Sequence, residues 1–167
     1  SNNGYITDNV ELQAIYHSNH FRNLIKICQT SIRKLVKDVT PNHLICYVLT
    51  RSPYKKFKNG VNTIKSGFHL HFPYIFLTQR DLKSNLFPHI KHNVKQSNIF
   101  CDINVRDSSS LLDEGVIKHN TCWLLYGSTK DSKLEPYEIS LVFDHNLNNI
   151  ELKKSLEGFF HYNTKGD

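Results

Sequence analysis

Apolar residues recur along this chain in distinct rhythms, and each rhythm predicts a different element. Leu24, Ile27, Cys28, Ile32, Leu35 and Val36 follow a spacing of three and four, which lines one face of an α-helix. Arg22, Lys26, Arg33, Lys34 and Lys37 fall on the other faces. Asp8 with Glu11 three residues on has the form of a capping box, so the helical region is expected to open there, with a break near Ser18-Asn19. Pro41 ends it. The next run, Leu44-Ile45-Cys46-Tyr47-Val48-Leu49, is apolar without alternation and predicts a buried strand.

Beyond it the pattern becomes polar and basic. Residues 51–58 read as a loop closed by Asn59-Gly60, and a second strand is expected over 67–77. Thr78 can cap a helix carrying Leu82, Leu86, Ile90 and Val94, with Pro88 as a kink. Residues 97–110 are polar and loop-like, and strands over 112–118 and 122–127 would flank a turn at His119-Asn120-Thr121. Tyr137, Ile139, Leu141 and Phe143 alternate as a strand does, and a short helix is expected over 147–161. With no internal repeat and no long linker, this order predicts a single α+β domain over 1–167. Its small mixed or antiparallel sheet would be covered by helices.

Composition narrows the class. The 39% apolar fraction and the 18 Phe and Tyr residues supply a core and exclude a disordered tail. Lys and Arg outnumber Asp and Glu by 21 to 15, a net charge of +6 that suits a polyanionic partner without requiring one. Cys28, Cys46, Cys101 and Cys122 form no Cys-x-x-Cys pair, which argues against zinc ribbons and disulfide frameworks and favours a reducing compartment. No apolar run approaches a membrane span and no signal peptide opens the sequence. The absence of Met predicts a piece of a longer chain.

Two segments concentrate chemistry. In Lys65-Ser66-Gly67-Phe68-His69-Leu70-His71-Phe72-Pro73, a strand would turn Phe68, Leu70 and Phe72 one way and His69 and His71 the other. Paired histidines can bind phosphate, move protons or ligate a metal. A half-solvated strand that happens to hold two histidines fits equally. Gly67 would admit a phosphate or a backbone at close range, and Lys65 adds charge beside it. The second segment runs from Leu111-Leu112-Asp113 to Trp123-Leu124-Leu125-Tyr126-Gly127-Ser128-Thr129-Lys130. Asp113 beside two leucines is costly to leave unpaired, and a divalent cation is one way to pair it. Lys130 after a Gly-Ser turn could reach a phosphate. An ordinary turn aspartate and a solvated lysine remain the plainer alternatives.

Taken together, the two segments resemble the archaeo-eukaryotic primase superfamily, in particular the primase domain of the helicase–primases of large nucleocytoplasmic DNA viruses. Gly67-Phe68-His69 matches that family's Gly/Ser-Phe-His strand. Asp113 matches its hydrophobic-Asp motif, and Trp123 to Lys130 its Trp-Leu-Leu-Tyr-Gly-Ser-x-Lys hairpin. The likeness covers about residues 8–145. It implies a primase-polymerase core of the RRM-like kind and template-directed primer synthesis from nucleoside triphosphates with Mg²⁺ or Mn²⁺. By the same likeness His69 would contact the phosphates of the incoming nucleotide, with Lys65 and Ser66 assisting. Asp113 would hold metal and Lys130 the triphosphate. A helicase ATPase would lie downstream in an oligomeric parent protein, working at a viral replication site in host cytoplasm.

The sequence departs from the family where an Asp-x-Asp pair is expected on a strand before the first helix. No such pair stands there, and Asp8 and Glu11 lie too far into the helical region to replace it. The expectation is a core lacking its first strand and an acidic site completed by residues upstream. Thr121 and Leu124 stand where cellular relatives carry hairpin arginines, and no zinc-binding region or P-loop is present. Arg51, Lys55, Lys56 and Lys58, interleaved with Tyr54 and Phe57, are the candidate contacts to single-stranded DNA template. Two other functions compete: a single-stranded-DNA-binding module without chemistry, and a phosphodiesterase that uses a metal on His69 and His71.

Overall fold

The computed structural model describes residues 5–6, 15–58, 60–103, 111–113 and 134–151. Its helical layer includes α1 (Ser18–Leu35), which follows an N-cap at His17, while the opening expected at Asp8 lies outside the described residues. Phe21, Leu24, Ile25, Cys28 and Ile32 form its buried stripe, while Leu35 ends 42% exposed. Gln29 is buried among them because its amide donates to the carbonyls of Leu44 and Asp144, at 2.8 and 2.9 Å.

The chain then passes through a 3₁₀ turn at Pro41–Leu44 into β2 (Cys46–Thr50), the second strand after the short β1 (Tyr5–Ile6). β2 lies at the centre of an antiparallel sheet, between β5 (Phe68–His71) and β6 (Glu138–Phe143). Central position explains its continuous apolar run, because both of its faces are covered. Cys46 and Val48 pack with Phe21, Ile25 and Phe143 on the side of α1. Tyr47 and Leu49 pack with Tyr137 and Val142 on the other.

The alternation expected of Tyr137, Ile139, Leu141 and Phe143 is interrupted. β6 pairs Val48 with Leu141 but Leu49 with Ile139, so Ser140 is an extra residue in a β-bulge. Leu141 and Phe143 therefore face α1, whereas Tyr137 and Ile139 join the opposite cluster.

Residues 51–58 are not a loop throughout. β3 (Tyr54–Lys58) pairs with β4 (Val61–Lys65) in a hairpin whose register leaves Asn59-Gly60 as its two-residue connection. Gly60 has φ +77°, the left-handed conformation such a connection needs. β1 pairs with the other edge of β3, completing a second three-stranded sheet in the order β1-β3-β4. Every residue of β4 is exposed, so no burial pattern marks it in the sequence.

β5 is shorter than the strand expected over 67–77. Pro73 cannot donate to a ladder, and the chain turns at once, with the Ile75 amide donating to the Phe72 carbonyl. Thr78 caps the next helical stretch through a bond from the Asp81 amide. That stretch comprises α2 (Gln79–Asp81), a π-helical segment (Leu82–Leu86) and α3 (Phe87–Ser97). The widened turn falls just before Pro88, which supplies no amide to the ladder, so Pro88 sits at the second position of α3. Asn98, in the left-handed region, ends it. α3 packs on α1 through Val94, Leu24, Cys28 and Phe100. Residues 147–150 are not helical: after a turn at 145–146, Asn149 bridges to Phe143. Of the strand expected over 112–118, Leu112 and Asp113 are not in a strand, and its remainder, the strand expected over 122–127 and the rest of the closing helix lie outside the described residues.

Candidate functional site

The face of the β5-β2-β6 sheet turned away from α1 carries the two histidines of the Gly-Phe-His segment. Residues directly opposite in an antiparallel ladder share a face. His71 stands opposite Tyr47 and His69 opposite Leu49, which in turn faces Ile139. Phe68 and Leu70 go to the helix side, where Phe68 meets Tyr16 and Phe21 edge-on at 4.9 and 5.1 Å. The alternation thus separates His69 and His71 from the core-facing set. Partial burial holds the His71 imidazole below its ordinary pKa.

Beyond the ends of these strands, the same register brings Gly67, Arg51 and Tyr137 side by side. Tyr137, which is 5% exposed, lays its ring 4.3 Å from that of His69. Its hydroxyl sits over Gly67, where a Cβ would come within 2.8 Å of it. The atom that approaches Gly67 is therefore a phenol oxygen of the protein itself. Arg51 packs over Tyr137 at 4.7 Å and over Tyr54 at 4.8 Å, and its Nη2 donates to the Tyr54 hydroxyl at 3.2 Å. Its Nε is buried with no hydrogen-bond partner among the described residues. Burial raises the Tyr137 pKa, against a smaller lowering by Arg51, so its hydroxyl keeps its proton.

The other expected site residues are placed less closely together. Ser66 is half-buried before β5, Lys65 is exposed at the end of β4, and Lys55 and Lys56 lie half-buried on β3. Lys58 ends β3. Asp113 is exposed and follows Leu111 and Leu112, which pack against the α1–α3 cluster. Lys130 and the Trp123 hairpin lie outside the described residues. Tyr137 is the residue that sequence reasoning passed over. It read as the start of an alternating strand, and nothing local shows that its ring crosses β2 to reach His69 and Gly67.

A second cluster joins His17, His20 and Asp102. His20 is 4% exposed, and its Nε2 lies 2.8 and 3.0 Å from the two Asp102 oxygens, while His17 Nε2 lies 3.5 Å from Asp102. The hydrogen bond from His20 lowers the Asp102 pKa. Two histidines and a carboxylate resemble a metal set, but the tautomer speaks against one. His20 Nδ1 accepts from the His17 backbone amide at 3.1 Å. Nε2 must then carry the proton that it donates to Asp102, leaving it no lone pair for a metal. A ligating histidine instead donates from its second nitrogen. The cluster is a clasp that ties the start of α1 to the turn after α3.

Mg²⁺ and Mn²⁺ prefer oxygen ligands, and two such cations need several carboxylates. Among the described residues, the family-motif position supplies only Asp113, so these residues do not by themselves form a two-cation site.

Comparison with known proteins agrees with this architecture. Residues 6–143 match the family described as the C962R protein N-terminal AEP domain, an archaeo-eukaryotic primase family. Three similar proteins carry helicase names. The 184R protein of Invertebrate iridescent virus 6 is 35% identical over 164 residues, covering 91% of this chain and 16% of its own length. The 121R protein of Invertebrate iridescent virus 3 is 34% identical over 146 residues, covering 84% and 15%. The L207/L206 protein of Acanthamoeba polyphaga mimivirus is 32% identical over 123 residues, covering 73% and 12%. The chain thus spans about one-sixth or less of the length of these relatives. No solved structure matches it.

Proposed function

This chain belongs to the family of C962R protein N-terminal AEP domains, and we propose that it is the primase domain of a viral helicase–primase. In this reading the intact protein makes primers on single-stranded DNA from nucleoside triphosphates. The observation that carries the reading is the placement of His69. The histidine of the Gly-Phe-His strand emerges on the sheet face opposite the helices, flanked by Tyr137 with Arg51 beyond it. A neutral or protonated imidazole there can donate to phosphate oxygens.

Lys65 and Ser66, just ahead of β5, would support the phosphates, with Lys130 as a further cation. Mg²⁺ or Mn²⁺, held by Asp113 with carboxylates outside the described residues, would supply electrostatic stabilisation of the transferred phosphoryl group. The helicase names of the relatives favour a helicase-linked parent protein. No described helix is long and apolar enough to cross a membrane.

The test is primer synthesis by the full-length protein on a single-stranded template. Asp113→Asn should abolish synthesis while leaving the thermal transition in place, because it removes charge but keeps shape. Lys130→Ala should raise the nucleotide concentration for half-maximal synthesis by about tenfold to a hundredfold, the worth of one charge-assisted contact. Intact synthesis in Asp113→Asn would refute the mechanism.

The β3–β4 hairpin favours a second reading, a single-stranded-DNA-binding module. It presents Lys55, Lys56 and Lys65 beside Val61 and Ile64, which are 53% and 54% exposed. Replacing Lys55, Lys56 and Lys58 together with Ala should flatten the dependence of log affinity on log salt. An unchanged slope removes the hairpin from the binding path.

A further inference from the structure

We propose that Arg51 binds the triphosphate of the incoming nucleotide, held in place for that task by Tyr54 and Tyr137, rather than contacting the template. The inference rests on the nucleotide-site reading of His69 and deepens it.

Position is the first argument. Arg51 continues the alternation of Tyr47 and Leu49, whose cross-strand partners are His71 and His69. It leaves β2 on the histidine face, and Tyr137 is the shared wall, 4.3 Å from His69 and 4.7 Å from Arg51. The template candidates Lys55 and Lys56 instead belong to the separate β1-β3-β4 sheet.

Electrostatics is the second. Among the described residues no carboxylate pairs with Arg51, and the contacts that hold it are two aromatic rings and one phenol oxygen. Rings on the flat faces of a guanidinium attract the cation without neutralising it. They also restrict its rotamers, so little freedom is left to lose when an anion arrives. A planar fork of donors suits the paired oxygens of a phosphate. The Nε left without a partner shows that the protein itself does not use up the donors of this fork.

The same geometry gives Tyr137 a positioning role. Its ring sets the spacing between His69 and Arg51, and its hydroxyl is accommodated only because residue 67 has no side chain. In this view the glycine of the Gly-Phe-His motif keeps two phosphate-binding groups in register.

Binding of inorganic triphosphate and of a labelled oligothymidine to the full chain separates the alternatives. Arg51→Gln should weaken triphosphate binding by about tenfold to a hundredfold, as expected for a charge-assisted contact, and leave the salt slope of oligothymidine binding unchanged. Arg51→Lys keeps the charge but loses the fork, and should fall between the parent and Arg51→Gln with an unaltered thermal transition. Ordinary triphosphate affinity in a folded Arg51→Lys or Arg51→Gln overturns the proposal. So does a salt slope reduced by about one contact in either variant, which would return Arg51 to the template. His69→Ala serves as the reference. If it weakens triphosphate binding and the Arg51 variants do not, only this inference fails. If neither position affects triphosphate binding, the nucleotide-site reading fails with it.

Discussion

Gly67→Ala tests the construction of the site most directly. A Cβ at this position would stand 2.8 Å from the Tyr137 hydroxyl oxygen, closer than van der Waals contact permits, while the ring carbon bearing that oxygen is 4.0 Å away. The backbone of Gly67 is not in the left-handed region, so alanine meets no conformational penalty there. Overpacking of this kind costs about 1–3 kcal/mol. The reduced freedom of the unfolded chain returns about 0.4–1 kcal/mol. A net loss of about 1–2 kcal/mol remains, which lowers Tm by about 2–8 °C for a domain of this size. The collision is with one oxygen, so Tyr137→Phe should relieve it. In that background Gly67→Ala should become neutral or slightly stabilising. A double-mutant cycle by urea denaturation reads the coupling, expected at about 1–2 kcal/mol. An equal cost of Gly67→Ala with tyrosine or phenylalanine at 137 would refute the argument. The glycine would then answer to some other constraint.

Further expectations follow from the packing. Gln29→Met keeps volume but strips the carbonyls of Leu44 and Asp144 of their donor, so urea denaturation should show a loss of about 2–4 kcal/mol. Burial pushes the Cys28 thiol up to about 12 and raises Cys46 as well. Iodoacetamide at neutral pH should therefore label exposed Cys101 and spare both until the protein unfolds, as peptide mass spectrometry would show. Asp144 is partly buried, which alone would raise its pKa, but bonds from the amides of Asn148 and Asn146 and the Asn148 side chain outweigh this and lower it. The stability it contributes is fully present above its unfolded value near 3.8 and is lost as pH falls through the lower folded value. Asp144→Asn should therefore be less stable than the parent at neutral pH, and the gap should close below pH 4 in acid denaturation.

Periodicity alone determined the local pieces. The stripe from Leu24 to Ile32 specified which side of α1 is buried, and the alternation from Phe68 to His71 separated the aromatic face from the histidine face. Thr78 and Pro88 announced a capped, irregular helix. The paired motifs around His69 and Asp113 pointed to the family that residues 6–143 match. These signals are legible because each depends on neighbours a few residues away. The hairpin at 54–65 was also written locally, in Asn59-Gly60, but its exposed strands carry no apolar pattern to support it. What the tertiary structure decided depends on residues far apart in the chain. The bulge at Ser140 divides a regular alternation between two faces, and so brings Tyr137 to His69 and Gly67. His20 finds Asp102 across 82 positions, and the proton this fixes on Nε2 turns an apparent metal set into a structural clasp. Ladder register and side-chain pairing at such separations are settled by how the sheet and helices pack together, and no local spacing in the sequence records that choice.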